Sequence, residues 1–594
     1  MCGFIGKFSN EKINQEGIFQ ANKHTICRGP DQLRHHEGST RDSFYSLIFN
    51  RLSILDLTDN ASQPMVDEFG NILMFNGEVY NHRELRSYLE NKSIQFKSSH
   101  SDTEVILHGI RVLGVDFLNK IIGQFAIFYL NKTKGVIFLA RDRLGQKPLF
   151  YSKTDNKFTV SSNLKSLVKL NTNFHVDEES LSEYLETGVI SSPKTLFKNI
   201  YKLRPAEIIE VNIENNYKIK KNLFWKPEDF IQTKKTKFNF DEFSELLKDA
   251  VNIRQNADVE VANMLSGGID STTIVKLASE NNNKLNTFSV TNTGTSYNEE
   301  EWINKVANKY QVIGKYVDIN FDNIKLETIN ESIDAFDEPY SDPSTLPSFL
   351  IYKEISKNFK VAISGDGGDE LLGGYQRVIR TLNRNNFASK FFSMYPGFIG
   401  TGNKLQINQK NLKGSYLSFY KDTKLMNLLK LKNSFLNDKF TDIEDSEYLS
   451  MILFDYKYYL PEMMMLKVDR ASMANSLEVR SPFVDHRLIE YMINSDFEVN
   501  NEESQKLPLK KILSNDFDNS FLNRKKMGFV FDLENWVYSN SDYINDYFRN
   551  ESNFINNLNN NILKTLSINK SRINAQRIWR IYFLEYYFNS LQKI

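Results

Sequence analysis

Apolar residues in the first third of the chain come in short runs separated by turns that contain glycine or asparagine. Four of these runs have the length and composition of β-strands, at residues 44–49, 72–75, 125–130 and 136–140. Two stretches, 83–91 and 101–113, instead have the spacing of helices. The pattern predicts a layered, β-rich amino-terminal domain.

From about residue 240 the pattern changes to strands that alternate with helices. Strand-like runs lie at 259–265, 285–290, 315–319 and 360–364. Helical spacing is seen at 240–254, before residue 280 and at 298–309. This alternation predicts a doubly wound parallel sheet. Beyond residue 374 the pattern is helical to the end, and the aromatic tract 577–588 predicts a buried or interface helix.

Residues 212–239 are rich in lysine and asparagine and carry few periodic signals. A chain of 594 residues exceeds what one hydrophobic core organises, which is about 250–300 residues. We therefore predict an amino-terminal domain at 2–211, a linker at 212–239 and a second domain at 240–594.

Composition excludes several classes of function. Lys and Arg total 74 and Asp and Glu total 74, so no net charge steers the chain toward nucleic acid or an anionic membrane. Two cysteines, Cys2 and Cys27, are too few for a disulfide scaffold or an all-cysteine zinc site. The chain shows neither a signal-peptide pattern nor a run of about 18 apolar residues, so we expect a cytoplasmic protein without a membrane partner.

The first candidate for chemistry is Cys2, in the opening Met-Cys-Gly. Removal of Met1, which the small side chain at position 2 permits, would leave a thiol and a free α-amine on one residue. The amine titrates at about 7.7–8.0 and can act as general base for the thiol. A cysteine at position 2 is a weak signal by itself.

Three polar positions nearby in sequence could serve acyl transfer. Asn76 with Gly77 offers two donors for an oxyanion, although Asn-Gly is also a common hairpin turn. Arg51 could clamp a carboxylate, or form a structural ion pair. Asp102 could hold an ammonium group, or belong to a helix-capping pattern.

Two glycine-rich turns suggest a phosphate site in the second domain. SGGIDST, at 266–272, lies between a strand and a helix, where backbone N–H groups can meet a phosphate. Asp270 is unfavourable beside an anion unless a cation such as Mg²⁺ intervenes. SGDGGDE, at 364–370, holds three carboxylates that repel one another unless a metal or a proton relieves them. The alternatives are a generic turn and a solvated acidic loop.

Seven segments of the first domain, in this order, resemble class II glutamine amidotransferase domains: MCGFIG, RGPD, RLSILDL, NGEVYN, SDTE, GQFAIFYL and RDRLGQKPLFY. They are similar to the amino-terminal half of the glutamine-hydrolysing asparagine synthetase family. The resemblance implies an αββα sandwich of the Ntn-hydrolase type, with Cys2 as nucleophile and Asn76 and Gly77 as oxyanion hole. It also implies a glutamine pocket formed by Arg51, Asn76, Glu78 and Asp102.

SGGIDS resembles the pyrophosphate loop of N-type ATP pyrophosphatases. Four further segments resemble the synthetase domain of the same family: TFSV, SGDGGDELLGGY, LKVDRASMANSLEVRSPFVDHRL and RKKMGF. This implies cleavage of ATP to AMP and pyrophosphate through an acyl-adenylate. The implied metal is Mg²⁺, held by Asp270 and Asp369. The implied ATP site comprises Leu265, Ser266, Gly267, Gly268, Asp270, Ser271, Val290, Ser364 and Gly365.

The resemblance further implies that Asp366 takes a proton from the attacking ammonia. Lys526, or its neighbour Lys525, would stabilise charge as the intermediate breaks down. An apolar tunnel would carry ammonia between the two sites, and relatives that are homodimers suggest the same here.

Two positions depart from the family. Ala206 stands where glycine is usual, which concerns only a turn. The stretch DEPYSDPST, at 337–345, lacks the Thr-Thr-x-Arg pattern associated with aspartate. Aspartate is our first candidate for the acceptor, and a uronic-acid sugar or a modified peptide is the alternative. A third hypothesis, a non-catalytic or glutaminase-only protein, is opposed by intact Cys2, Asp270 and Asp369.

Overall fold

The computed structural model describes residues 2–41, 43–171, 174–282, 284–291, 299–319, 324–384, 394–397, 399, 401, 403–409, 411–432, 436–524, 531–550 and 562–592. Within these ranges no helix is both long enough and apolar enough to cross a membrane. The candidate catalytic lysines Lys525 and Lys526 lie outside the described residues.

Two antiparallel sheets form the amino-terminal part. Their orders are β10-β8-β9-β1-β3-β2 and β12-β11-β7-β6-β5-β4, with strands β1 (Cys2–Ser9), β2 (Gln32–Thr40), β3 (Ser43–Arg51), β4 (Met65–Val66), β5 (Ile72–Val79), β6 (Gly123–Asn131), β7 (Val136–Arg141), β8 (Phe150–Lys153), β9 (Lys157–Ser161), β10 (Ile200–Lys202), β11 (Glu207–Asn212) and β12 (Lys218–Leu223). The four strands predicted from the apolar runs are confirmed as β3, β5, β6 and β7.

The two sheets pack face to face, and helices cover both outer faces. Alternate residues of β1 and β5, such as Phe4 and Met74, meet in the core between the sheets. The opposite faces pack against helices, as Ile5 does against Ile18. The helices of this part are α1 (Gln15–Asn22), α2 (His82–Glu90), α3 (Asp102–Leu113), α4 (Leu164–Leu170) and α5 (Glu178–Thr187). The expected αββα sandwich is confirmed.

The second part is built on a five-stranded parallel sheet. Its order is β15-β14-β13-β16-β17, with β13 (Val261–Met264), β14 (Asn286–Thr291), β15 (Ile313–Asp318), β16 (Val361–Ile363) and β17 (Glu478–Arg480). The first four strands were expected. β17 corrects the expectation of a purely helical region after residue 374, because its three residues pair in parallel with β16.

The helices of the second part pack around this sheet and then continue alone toward the carboxyl end, as expected. Helix α6 shows the local cause: Asn239 caps its first turn, and Phe243, Leu247 and Val251 form its buried stripe. The helices are α6 (Phe240–Arg254), α7 (Ile269–Ser279), α8 (Glu300–Tyr310), α9 (Leu326–Asp334), α10 (Thr345–Ile355), α11 (Gly368–Leu371), α12 (Gln376–Leu382), α13 (Asn403–Gln406), α14 (Leu412–Leu417), α15 (Thr423–Leu429), α16 (Glu447–Phe454), α17 (Leu466–Met473), α18 (His486–Asn494), α19 (Leu507–Leu513), α20 (Asn519–Leu522), α21 (Leu533–Ser539), α22 (Ser541–Asn550), α23 (Ile562–Ile568) and α24 (Arg572–Gln592).

Shorter turns complete the path of the chain. A π-helix at Asp455–Met465 joins α16 to α17, and 3-10 helices lie at Lys23–Arg28, Asp59–Ala61, Gly114–Lys120, Pro227–Phe230, Asn437–Lys439 and Pro482–Val484. The stretch 212–239 contains β12 and one of these turns, and the domain boundaries placed around it stay a prediction. Ala206 has φ +58°, the left-handed region that favours glycine, which explains why glycine is usual at this position.

Candidate active sites

Cys2 begins the central strand β1, opposite Arg51 of β3. Its side chain is 7% exposed. Its backbone N–H donates to Asn76 Oδ1 at 3.0 Å. The strand pairing and this hydrogen bond therefore hold Cys2 next to the polar side chains of Arg51 and Asn76. Burial raises the pKa of the Cys2 thiol, while positive charges that include Arg51 act to lower it. The thiol therefore needs a nearby base to become a thiolate at neutral pH.

Asn76 and Gly77 do not form a hairpin turn. Both lie inside β5 and pair with β6. The Asn76 side chain is fully buried, and its Nδ2 has no hydrogen-bond partner among the residues the structure describes. A Cβ on Gly77 would lie 2.0 Å from the carbonyl oxygen of Gln124, so only glycine allows β6 to approach this closely. A buried amide donor without an acceptor marks a place for a ligand oxygen.

The structure decides between the readings of Arg51 and Asp102. Arg51 donates to the carbonyl oxygens of Thr58 and Asp56, and within the described ranges it forms no ion pair. Asp102 is buried and accepts from the backbone nitrogen of Val79 at 3.1 Å. The capping alternative fails, because Ser101 makes no side-chain capping bond at the start of α3. Both side chains lie around Cys2 and β5, as the glutamine-pocket hypothesis requires.

Glu78, the fourth residue predicted for the glutamine pocket, contacts the second part of the chain. Its Oε2 lies 3.2 Å from a guanidinium nitrogen of Arg480, which belongs to β17 of the parallel sheet. Burial is the largest cause raising the pKa of Glu78, and Arg480 opposes it. Arg480 also binds Glu478 Oε1 at 2.6 Å. One residue predicted for the glutamine pocket is thus held by the parallel-sheet part of the chain.

The first glycine-rich turn leaves β13 and opens helix α7. Leu265 is buried at the end of the strand and donates its backbone N–H to Phe288. Gly267 has φ +71°, and a Cβ there would lie 2.9 Å from Trp302. Gly268 precedes the first turn of α7, and the hydroxyls of Ser266 and Ser271 lie 3.1 Å apart. A strand, a left-handed glycine and a helix amino terminus form the geometry of a phosphate site.

The second glycine-rich turn lies against the first. A Cβ on Gly365 would lie 3.1 Å from Cβ of Asp270, so the two turns share one crevice as predicted. Ser364 donates to Asp366 Oδ2 at 2.8 Å, which orients that carboxylate. Val290 is half-buried on the neighbouring strand β14. The nine predicted ATP-site residues therefore lie at the same carboxyl edge of the sheet.

Lys506 joins the two predicted metal ligands. Its Nζ lies 2.5 Å from Asp270 Oδ2 and 2.6 Å from Asp369 Oδ1, and the two carboxylates raise the pKa of the ammonium against the effect of burial. The donor set fits Mg²⁺, which typically binds one or two carboxylates plus substrate phosphates. Within the described residues no group of three or more His, Cys, Asp or Glu forms a metal cage. No pattern in the sequence pointed to Lys506.

Glu370 shows how the acidic turn tolerates its charges. Burial raises its pKa to about 7, helped by Asp369, and Tyr375 donates to its Oε1 at 2.7 Å. Near neutral pH this carboxyl is therefore partly protonated. A proton thus relieves part of the repulsion expected in SGDGGDE, and the solvated-loop alternative is wrong for this buried residue.

Helix α17 of the second part contacts the Cys2 region across the interface. Asp469 accepts two bonds from Arg28, at 2.8 and 3.0 Å, and Arg28 Nε donates to the carbonyl oxygen of Cys2 at 3.2 Å. Lys147 lies 3.6 Å from the same carboxylate. Burial acts to raise the pKa of Asp469, but Arg28 and Lys147 hold it at about 2. The segments that carried the family resemblance include Arg28, Asp469 and Arg480. Sequence reasoning gave these three residues no role, because their roles depend on contacts between the two parts of the chain.

Comparisons with known proteins cover nearly the whole chain. The family model described as asparagine synthase matches residues 242–582, and the glutamine amidotransferase domain model matches 1–225. Asparagine synthetase [glutamine-hydrolyzing] 1 of Bacillus subtilis is 30% identical over 93% of this chain and 89% of its own length. Asparagine synthetase [glutamine-hydrolyzing] 2 of the same organism is 31% identical over 89% of this chain and 72% of its own length.

Proposed function

This chain belongs to the family of glutamine-hydrolysing asparagine synthetases, and from that premise we propose the chemistry of each site. The overall reaction is ATP + L-aspartate + L-glutamine + H₂O → AMP + diphosphate + L-asparagine + L-glutamate. The observation that carries the proposal is the buried amide donor of Asn76, which lies beside Cys2 and has no hydrogen-bond partner among the residues described.

In the first half-reaction the Cys2 thiol attacks the side-chain amide of glutamine. The α-amine exposed by removal of Met1 accepts the thiol proton, because burial disfavours spontaneous ionisation of Cys2. Asn76 Nδ2 and the backbone N–H of Gly77 donate to the oxyanion. Arg51, Glu78 and Asp102 hold the charged groups of glutamine. Ammonia leaves, and water then hydrolyses the thioester to glutamate.

In the second half-reaction the acceptor carboxylate attacks the α-phosphorus of ATP, and pyrophosphate departs. The turn at 266–272 and the amino terminus of α7 bind the pyrophosphate. Asp270 and Asp369 would hold Mg²⁺, whose charge would offset that of the phosphates. Asp366, oriented by Ser364, accepts a proton from ammonia as it attacks the acyl-adenylate. The lysine of the 525–526 pair supplies positive charge at the breakdown step.

Ammonia must pass from one site to the other unprotonated, since ammonium is not a nucleophile. We place its route through an apolar passage beside α17, because this helix contacts the Cys2 region through Asp469 and lies in the second domain.

The proposal is tested by supplying the pure protein with glutamine, ATP, Mg²⁺ and one acceptor at a time. L-Aspartate should yield asparagine, glutamate, AMP and pyrophosphate in equal amounts. Galacturonic acid serves as the alternative acceptor. Amide formation on the uronic acid with none on aspartate would contradict the assignment of the acceptor, and glutamate release without AMP formation from any acceptor would contradict the synthetase half.

A further inference from the structure

Lys467 is a buried cation that the chemistry above does not use. It lies on α17 and is 8% exposed. Its Nζ donates to Ser344 Oγ at 3.0 Å and lies 4.0 Å from the sulfur of Met464. No carboxylate of the described residues lies within 4.0 Å of it, whereas buried ammonium groups are usually paired with an anion. An ammonium in this state suits the carboxylate of a ligand.

An anion is held on the other side of Ser344. The backbone N–H of Ser344 donates to Asp342 Oδ1 at 2.7 Å. Within the described ranges Asp342 forms no ion pair either. A cation and an anion thus flank one serine in the stretch 337–345, which lacks the Thr-Thr-x-Arg pattern.

A chain of contacts leads from this stretch to the second glycine-rich turn. Tyr340 donates to the carbonyl oxygen of Met463, in the π-helix Asp455–Met465, at 2.8 Å. Tyr459 of the same π-helix lies edge-on against Tyr375, with ring centroids 5.5 Å apart, and Tyr375 donates to Glu370 of the turn at 2.7 Å. The stretch 337–345 is therefore joined through tyrosines to the crevice that holds the two glycine-rich turns.

The side chains around this stretch keep partial exposure to solvent. Asp342, Ser344 and Asp366 are half-buried rather than sealed, as are Tyr459 and Met464 of the π-helix Asp455–Met465. π-Helical segments are rare and occur frequently at functional sites, because the wider turn displaces side chains from regular helical positions. The π-helix ends at Met465, and α17 follows it with Lys467 as its second residue.

We propose that Lys467 and Asp342 bind the amino-acid head of the acceptor, Lys467 its α-carboxylate and Asp342 its α-ammonium. The acceptor's side-chain carboxylate then extends toward Asp366 and the ATP crevice. The inference rests on the proposed function and narrows its acceptor to a free α-amino acid with a short acidic side chain. A uronic-acid sugar lacks the ammonium group, so it would leave the charge of Asp342 without a cation.

The test uses the full-length enzyme with ammonium chloride as nitrogen source, so that Cys2 is bypassed, and follows AMP formation. Lys467→Met should raise KM for L-aspartate about 10- to 100-fold with a smaller change in kcat, because one charge-assisted bond to the substrate is lost. Lys467→Arg should restore part of the affinity. Lys424→Met, which removes a buried lysine on α15, is the matched control and should leave KM unchanged.

Asp342→Asn examines the other half of the site. Wild type should prefer L-aspartate over N-acetyl-L-aspartate by about 10-fold or more, and the variant should narrow this preference, because the acetylated nitrogen carries no charge. Glutamate release from glutamine should match wild type in both Lys467→Met and Asp342→Asn, which shows that the variants are folded.

Two results would overturn the inference: an unchanged KM for aspartate in Lys467→Met, or equal use of both acceptors by wild type. A wild type that makes no asparagine from aspartate contradicts the proposed function instead, so the two failures are distinguishable.

Discussion

At the scale of single residues, the side chain of Asn76 is the most informative. Its Oδ1 accepts from Cys2 while its Nδ2 is buried without a partner in the part of the chain that is described. Such a donor costs about 1–3 kcal/mol when it is left unsatisfied. The cost is understandable if a substrate oxygen completes the bond during catalysis.

Asn76→Ala should therefore lower kcat for glutamine hydrolysis by about 10²- to 10³-fold. Asn76→Asp is the complementary variant, because it keeps an acceptor for Cys2 but replaces the donor with a negative charge that repels the oxyanion. Both variants should be impaired when glutamate release is measured, and both should retain ammonia-dependent synthesis. An Asn76→Asp enzyme with the wild-type rate would show that the donor plays no part.

The buried carboxyl of Glu183 should make the free energy of unfolding depend on pH, independently of catalysis. Burial raises its pKa from 4.5 to about 7, although Ser191 donates to its Oε1. Between those values the folded protein retains a proton that the unfolded chain releases, so the free energy of unfolding falls as pH rises through this window.

The loss amounts to about 3 kcal/mol. Glu183→Gln cannot ionise, so it should gain about that much stability relative to wild type between pH 5 and pH 8. Denaturant unfolding at both pH values measures this. A wild-type-to-variant difference that is the same at both pH values would rule out the raised pKa.

The sequence predicted Cys2, Asn76, Arg51 and Asp102 as neighbours, and the fold brings them together. It did not reveal Lys506 or Arg480. Their partners, Asp270 and Glu78, are more than 200 residues away, and a lone charge in a strand or just before a helix carries no local pattern. Motifs report groups that act from one loop, whereas pairs of this kind depend on tertiary packing.

At the scale of elements, the long periodic segments were predictable and the short ones were not. The predicted helix at 240–254 matches α6 residue for residue, since capping and the buried stripe are both local. Strand β17 escaped prediction because three residues cannot show alternation, and only pairing with β16 makes them a strand. The Asn76-Gly77 turn alternative failed for the converse reason, because a sheet can hold a pair that favours turns in isolation.

Helix α17 yields the prediction for this scale. Asp469→Asn would leave Arg28 and Lys147 buried with a neutral partner, which should cost about 3–5 kcal/mol of stability. It should also lower the glutaminase rate, because Arg28 binds the carbonyl oxygen of Cys2. Thermal melting and glutamate release measure the two effects.

Asp546→Asn provides the control on a surface pair with Arg549, where the change in stability should stay within about 1 kcal/mol. If Asp469→Asn and Asp546→Asn lowered the melting temperature by the same amount, the buried interface ion pair would contribute no more stability than an exposed one.

At the scale of the whole molecule, an antiparallel sandwich and a parallel sheet meet through buried charges. Glu78 binds Arg480, and Lys202 binds Glu338 at 2.7 Å with both side chains fully buried. Buried pairs of this kind add little net stability over apolar packing, but they fix one relative orientation of their partners. A fixed orientation is what transfer of ammonia between two separate centres requires.

The most direct test of two centres is to disable each one alone and supply both nitrogen sources. Cys2→Ala should make no asparagine from glutamine but should match wild type with ammonium chloride. Asp270→Ala should release no pyrophosphate while glutamate release from glutamine continues. Loss of ammonia-dependent synthesis in a folded Cys2→Ala enzyme, or synthesis that survives Asp270→Ala, would contradict the account.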